Sequence, residues 1–436
     1  MRIEAGPASQ APTAPWERLP EVQLRFLRHA GRRARALGFR LYLVGGPVRD
    51  LLLGHPSSDV DLMVEGDAVA LAEALAGELG GGLRGRSQFA TVKLHLPELV
   101  VDLATARTES YPYPGSLPVV SAASAAQDLC RRDFSINAIA MHLSPRLFGR
   151  LLDPCGGLAD LRQRRLRVLH PASFRDDPLR LIRAVRLLCR LRLRLEPGSE
   201  RLAREAVAAG ALSTLTPRRL QEEFRLFLLE PAQRCQMRQA AALGLLGVLV
   251  PGLEPQGALL GRLNCALRLV GWLAAQAHPQ HLERWLVVGL TLVAAAPKQA
   301  GLAAAHRLLP GKKASRAAAA LTLEREQWVE FLSWPHLPSE LAARLDALPE
   351  EAVAALACLL PAPARAPLRR YLARWRHLRP RLSGRHLLEL GFAPSARWRQ
   401  VLAELRAARM DGRARSRRDE VRLAVAMLTE QGSPGR

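Results

Sequence analysis

Asp59 and Asp61 stand two residues apart where an apolar run, residues 60–64, begins. Side chains two apart on a strand face the same side, so both carboxylates can point at one place. Two hard oxygen ligands together suit Mg²⁺, which is usually completed by water and by the phosphates of a substrate. Ten residues before Asp59, Arg49 follows Gly45 and Gly46 by one helical turn, and the two glycines close another apolar run, residues 41–44. Glycines between a strand and a helix let backbone N–H groups approach an anion, and Arg49 can pair with phosphate there. An Asp-x-Asp after such a turn points to metal-assisted nucleotidyl transfer, in which the metals activate an attacking hydroxyl and stabilise a leaving pyrophosphate. Asp102, in the apolar run 99–103, offers a third carboxylate, either catalytic or structural and buried.

Two further segments carry chemistry. In Arg131-Arg132-Asp133-Phe134-Ser135-Ile136-Asn137-Ala138, Ser135 can cap a helix whose apolar face packs inward, while Arg132, Asp133 and Asn137 suit a ribose and a triphosphate. A helix start with a local ion pair would use the same residues. In Asp176-Asp177-Pro178-Leu179-Arg180, Pro178 suits the first turn of a helix, which sets Asp177 and Arg180 on one edge, continued by Arg183 and Arg186. An aspartate accepts from an exocyclic amine and an arginine donates to a ring nitrogen. Cytosine and adenine both present that pair on the Watson–Crick edge, whereas uracil and guanine do not, so one Asp and one Arg can select CTP and ATP. An exposed acid–base ladder is the alternative for any single pair, and three arginines in step beside an apolar face weaken it.

The elements that must position these residues follow from periodicity. Helical spacing over residues 22–37, 48–53 and 68–79 alternates with strand patterns over 41–44, 60–64, 91–96 and 99–103, which predicts an α/β head with a small sheet. Residues 105–121, with three prolines, a glycine and two tyrosines, predict an irregular loop. After Asp153-Pro154-Cys155-Gly156-Gly157, strand patterns nearly vanish, and Leu, Ala and Arg recur at three- and four-residue intervals. That predicts an all-helical remainder and, overall, an α+β fold.

The chain has 436 residues, with 49% hydrophobic and 24% charged, which excludes wholesale disorder and collagen-like repeats. A formal net charge of +23 favours a polyanionic partner, nucleic acid above all. All but four of the 63 basic residues are arginine, the exceptions being Lys93, Lys298, Lys312 and Lys313; codon bias accounts for that choice but not for the shortage of acids. Sixteen arginines between residues 361 and 418 face only Glu389, Glu404 and Asp411, a balance suited to a phosphate backbone. The six cysteines show no close pair of the zinc-knuckle or redox type and read as buried free thiols of a reducing cytosol. The proline-rich first residues read as a loose tail rather than a signal peptide, and the apolar run 285–296 is too short to span a bilayer. These features place the chain in the cytoplasm.

Gly-Gly-x-Val-Arg-Asp, Asp-x-Asp, Arg-Arg-Asp-Phe-x-Ile-Asn-Ala, Asp-Pro-x-Gly-Gly and Asp-x-x-Arg-x-x-Arg occur in that order over residues 41–190. In this the sequence resembles the bacterial class II tRNA nucleotidyltransferases, the CCA-adding enzyme and poly(A) polymerase family of the polymerase-β superfamily. The resemblance implies a polymerase-β-like head with a small mixed sheet over 22–150 after a flexible tail, 1–21. It also implies a nucleotide-selecting neck over 151–230, a helical body over 231–360 and a basic tRNA-binding tail over 361–436. Asp59 and Asp61 then match the metal ligands, with Asp102 beside them in catalysis, and Gly45, Gly46 and Arg49 the phosphate turn. Arg132, Asp133 and Asn137 match the ribose and triphosphate motif, and Asp177, Arg180, Arg183 and Arg186 the helix that reads the base and phosphates. Where the family usually has Glu-Asp, this chain has Asp176-Asp177. The implied cofactor is Mg²⁺, the substrates CTP and ATP, and the partner the tRNA acceptor stem and elbow. Full CCA addition is the leading expectation. Addition of the terminal A alone follows closely, because the stretch from Asp102 to Arg131 is similar to that of A-adding members. Polyadenylation and a non-catalytic RNA-binding role rank lower.

Overall fold

A computed structural model describes residues 15–55, 58–85, 91–110, 112–113, 116, 119–276 and 282–429. The chain forms two compact units, one ending at Leu215 and the other beginning at Thr216.

The first unit is built on a mixed sheet. Its strands are β1 (Arg40–Val44), β2 (Val60–Glu65), β3 (Gly82–Arg84), β4 (Thr91–His95) and β5 (Val100–Thr105), joined after a separate hairpin, β6 (Arg107–Ser110) and β7 (Val119–Ala122), by β8 (Ala140–His142) and β9 (Leu151–Leu152). The order across the sheet is β3-β4-β5-β2-β1-β8-β9, and β2 with β5 is its parallel pair. One face is covered by α1 (Glu21–Ala36) and α3 (Ala68–Leu79), which bury Leu27, Ala30, Leu71 and Leu75 against Leu41, Leu62 and Leu103. Burying such side chains contributes roughly 1.5–3 kcal/mol each, which is why the alternating strand patterns were legible. Between them, α2 (Gly46–Leu52) leaves β1 directly. Asp67 caps α3 by accepting from the N–H groups of Val69 and Ala70 at 2.8 and 3.1 Å.

On the other face, Ala125 and Leu129 of α4 (Ala125–Cys130) pack against Tyr42, Val44 and Met63, and α5 (Gly157–Arg162), α6 (Ser173–Asp176), α7 (Leu179–Arg190) and α8 (Pro197–Ala208) follow along the chain. Two expectations change here. Residues 105–121 carry the β6/β7 hairpin, paired in register from Arg107 with Ala122 to Ser110 with Val119; Tyr111, Pro114, Gly115, Leu117 and Pro118 lie outside the described residues. The prolines and glycine mark the connection, and the short strands flank it. Ser135 does not cap a helix: Ser135–Asn137 form one 3₁₀ turn, and the apolar residues after it enter β8, which pairs with β1. The Ser135 hydroxyl instead donates to Asp160 at 2.6 Å. The loose tail is described from Pro15, where one 3₁₀ turn sets Trp16 edge-on against Phe148.

The second unit is helical throughout its described residues. Helix Arg284–Ala295 is its centre, buried on every side from Trp285 to Ala294. The apolar run too short for a bilayer is therefore a core helix, and among the described residues no helix is long and apolar enough to cross a membrane. Towards the C-terminus a smaller core gathers Leu382, Leu387, Val401, Leu405 and Ala424.

Candidate active site

Residues from all four motifs of the first unit meet in a cavity of about 400 Å³. It is lined by Gly45, Gly46, Asp61, Glu109, Arg131, Arg132, Asp133, Asn137, Asp177, Arg180 and Arg183. A larger cavity of about 670 Å³ against α1, with Phe26, Arg28 and Leu99 in its wall, contains none of the expected site residues.

Gly45 ends β1 with φ of +73°, a backbone conformation that L side chains rarely adopt. A Cβ on it would stand 3.0 Å from Arg132 Nη1 and 4.0 Å from Asp61 Oδ2, so the turn passes directly between a site cation and a site carboxylate. Asp61 is the second residue of β2 and lies opposite Asp102 on parallel β5, while Asp102 faces Lys93 across antiparallel β4. Lys93 Nζ holds Asp102 Oδ2 at 2.8 Å, and the Asp102 side chain is half exposed. Asp102 is thus neither buried nor remote. It shares a second cavity, of about 330 Å³, with Asp61, Lys93, Arg131 and Arg132. Burial, with the charges of Asp102 and Asp59 nearby, pushes the Asp61 carboxyl up to about 6. Asp59 is exposed, just ahead of β2.

Arg49 takes a different place from the one expected. Its guanidinium is 3% exposed and bidentate on Asp50, at 2.8 and 2.9 Å, with Nη1 donating to Asn137 Oδ1 at 2.6 Å. Asn137 Nδ2 in turn donates to Asp133 Oδ1 at 2.9 Å. One turn into α2, the side chain lies beside the glycine turn and joins the first motif to the third.

Asp177 caps α6 in an extended conformation immediately before α7, and both Asp177 and Arg180 are buried, 7% and 4% exposed. Arg180 is held by Ser173 Oγ at 2.6 Å and by the Arg131 carbonyl at 3.0 Å, which fixes its plane at the cavity wall. Arg183 Nη1 lies 3.8 Å from Asp177 Oδ2. Arg186, one step further along α7, is half-buried and is not among the cavity-lining residues. The Asp153-Pro154-Cys155-Gly156-Gly157 turn supports this arrangement: Asp153 accepts from the N–H groups of Gly157 and Leu158 at 2.7 and 2.8 Å. A Cβ on Gly157 would collide with the Ser135 carbonyl.

Two acidic residues escaped the sequence reading. Asp128, 1% exposed on α4, accepts from Arg131 Nε and Nη2 at 3.0 and 2.6 Å and from Arg132 Nε and Nη2 at 3.3 and 3.1 Å. Glu109 accepts from Arg131 Nη1 at 2.6 Å and from Arg107 Nη2 at 3.0 Å. Asp128 stands three and four residues before the two arginines, the spacing of a helical ion pair, and that signal was available. Glu109 lay hidden in the proline-rich segment.

Residues 41–167 match the poly(A) polymerase head domain. The A-adding tRNA nucleotidyltransferase of Geobacter sulfurreducens is 32% identical over 417 residues, 94% of this chain and 47% of that protein. The CC-adding tRNA nucleotidyltransferase of Deinococcus radiodurans is 41% identical over 239 residues, 55% of this chain and 62% of that one. The Thermotoga maritima CCA-adding enzyme, solved in complex with tRNA, superposes with a TM-score of 0.75 at 27% identity, over 95% of this chain and 98% of that chain. The chain thus carries a poly(A) polymerase head domain over residues 41–167 and is similar over most of its length to tRNA nucleotidyltransferases. It spans about half the length of the Geobacter relative.

The likeness to this family implies a divalent cation, for which Asp61 and Asp102, opposite each other on β2 and β5, offer carboxylate donors. Asp61 is a carboxylate whose charge is opposed by two neighbouring carboxylates and by burial, the condition a dication relieves. Asp59 and Asp61 are the residues that would hold it.

Proposed function

We propose that this chain is a template-independent RNA nucleotidyltransferase that extends the 3′ end of tRNA. The observation that carries the reading is the convergence of Asp61, Arg132, Asp133, Asp177 and Arg180 on one cavity from segments spread over more than a hundred residues. A bound divalent cation would supply charge neutralisation at the reacting phosphate and activation of the attacking hydroxyl. The chain's own residues do the rest. Arg131 and Arg132, pinned by Asp128, present fixed cations to the triphosphate. Asp133 and Asn137, tied to Arg49, offer polar groups to the ribose. Asp177 accepts from the exocyclic amine of the incoming base while Arg180 donates to its ring nitrogen, which favours CTP and ATP. The tRNA 3′ oxygen bonds to the α-phosphorus and pyrophosphate leaves.

Within this activity, addition of the terminal A is the reading we adopt. The Geobacter relative, aligned over 94% of this chain, is A-adding, and the segment between Asp102 and Arg131 resembles that of such members. Full CCA addition is the second reading, supported by the likeness to the Thermotoga enzyme and by a base-reading pair that suits both nucleotides. Labelled CTP and ATP, offered singly and together with Mg²⁺ to tRNA ending at the discriminator base, at C and at CC, separate the two. Extension of the CC end alone, by one A, supports A-addition; completion of all three to CCA supports the second reading; no incorporation on any end overturns both.

A further inference from the structure

Cys130 and Cys155 are 25 positions apart in the sequence, yet in the folded first unit their sulfurs stand 2.8 Å apart, one thiol donating to the other. A disulfide bond is about 2.05 Å long, so about 0.8 Å of sulfur movement separates this contact from a bond. Both are free thiols, Cys130 exposed and Cys155 half-buried. The sequence reading of six buried free thiols without a redox pair therefore changes. Four of the six are free, the reading does not extend to Cys189 and Cys235, and Cys130 is not buried.

The main chain on both sides sets this approach. Cys130 is the last residue of α4, and Cys155 packs against the same apolar cluster as Ala125 and Leu129 of that helix. Directly after Cys130, the Arg131 carbonyl accepts from Arg180 Nη2 at 3.0 Å. The Cys155 carbonyl accepts from Arg167 Nη2 at 2.6 Å, and Arg167 Nε is itself held by Asp160 at 2.8 Å. Asp153, two residues before Cys155, fixes the turn through the N–H groups of Gly157 and Leu158. Neither cysteine sits on a free loop. An exposed thiol held against a second, less exposed one is the arrangement in which a solution oxidant attacks the first sulfur and the second resolves the adduct.

We propose that Cys130 and Cys155 form a site of reversible oxidative modification that takes low-molecular-weight disulfides, with Cys130 the attacking sulfur and Cys155 the resolving one. The Cys130 thiolate attacks one sulfur of the small disulfide; the S–S bond of the reagent breaks, one half stays on Cys130 as a mixed disulfide, and the other leaves as a thiolate and takes a proton. The Cys155 sulfur then attacks that of Cys130 and gives up its proton, the second half leaves as a thiol, and the Cys130–Cys155 disulfide forms. The two protein thiols lose two electrons, and one small disulfide accepts both and becomes two thiols. The link braces the end of α4, the helix that carries Asp128 and leads into Arg131 and Arg132.

The test uses the full chain incubated with oxidised glutathione at pH 8, quenched by alkylation, digested and read by mass spectrometry. The expected result is a Cys130–Cys155 cross-linked peptide that dithiothreitol removes. Closing a loop of that length restricts the unfolded chain, so the thermal unfolding midpoint should rise by roughly 5–10 °C in the cross-linked protein and fall back on reduction. Cys155→Ser should stop at a glutathione adduct on Cys130. A glutathione adduct that persists on native Cys130 while Cys155 stays alkylatable overturns the proposal. So does a protein in which both remain alkylatable while Cys265 is modified. The native cross-link is read without any variant, so a poorly folding substitution leaves the test intact.

Discussion

Replacing Asp128 by Asn keeps the shape of the side chain and removes the charge that holds two site arginines. The native carboxylate receives four guanidinium N–H groups from Arg131 and Arg132 and a fifth from the Arg107 backbone at 3.1 Å. Breaking a buried ion pair from one side typically costs 3–5 kcal/mol. Here the Arg131 and Arg132 side chains are 20% and 21% exposed, and Arg131 keeps Glu109, so solvent and the second acid take up part of the loss. About 1–3 kcal/mol of stability is the expected cost. On catalysis, losing one preorganised donor outright costs up to about 10²–10³ in rate. The arginines of Asp128→Asn remain present but unfixed, so kcat/KM for ATP on a tRNA ending in CC should fall about 10- to 100-fold, with KM for ATP rising. Steady-state incorporation of labelled ATP measures this, beside urea unfolding of the same protein. A variant that unfolds more easily yet keeps kcat/KM within about twofold would refute the reasoning, because Asp128 would then support α4 alone.

Ala at Asp59 or at Asp61 should abolish incorporation while leaving tRNA affinity nearly unchanged in a gel-shift assay, and a chelator should reproduce the loss in the native protein; retained turnover would remove these residues from the metal role. Arg180→Ala should relax discrimination of ATP and CTP against UTP and GTP by about tenfold or more, the loss expected for one charged hydrogen bond, measured as ratios of kcat/KM. Because the guanidinium is also held by Ser173, circular dichroism of that variant must match the native spectrum. In the second unit, burial raises the Asp346 carboxyl, but the hydrogen bonds from Arg406 and Tyr371, with the charges of Arg406 and Arg376, together hold it below the ordinary aspartate range. A depressed folded pKa contributes stability above the unfolded value that is lost as pH falls through the folded one, so the unfolding midpoint should drop in that window, and Asp346→Asn should flatten the drop.

Most of the head was legible because its elements answer to local rules. Leu71 and Leu75 recur at helical spacing, and Leu41 and Leu43 alternate. The hairpin at 107–122 was not legible, since prolines in the connection masked two strands of four residues each. Nor was the strand after Asn137, because an apolar stretch of that length suits a helix or a strand, and pairing of β8 with β1 decides between them.

The residue types and their order determined the chemistry this chain can attempt: carboxylates two apart, glycines at a turn, and an acid and a base three apart at the start of a helix. Periodicity determined which segments become helices or strands, because that choice depends on neighbours a few residues away. The tertiary structure alone decided what each charged group does. It turned Arg49 onto Asp50 and Asn137, and it set Asp128 under two arginines. It also placed Asp102 beside both Asp61 and Lys93. Coulomb energy and desolvation depend on distance in space and on burial, and neither quantity exists until the chain has folded.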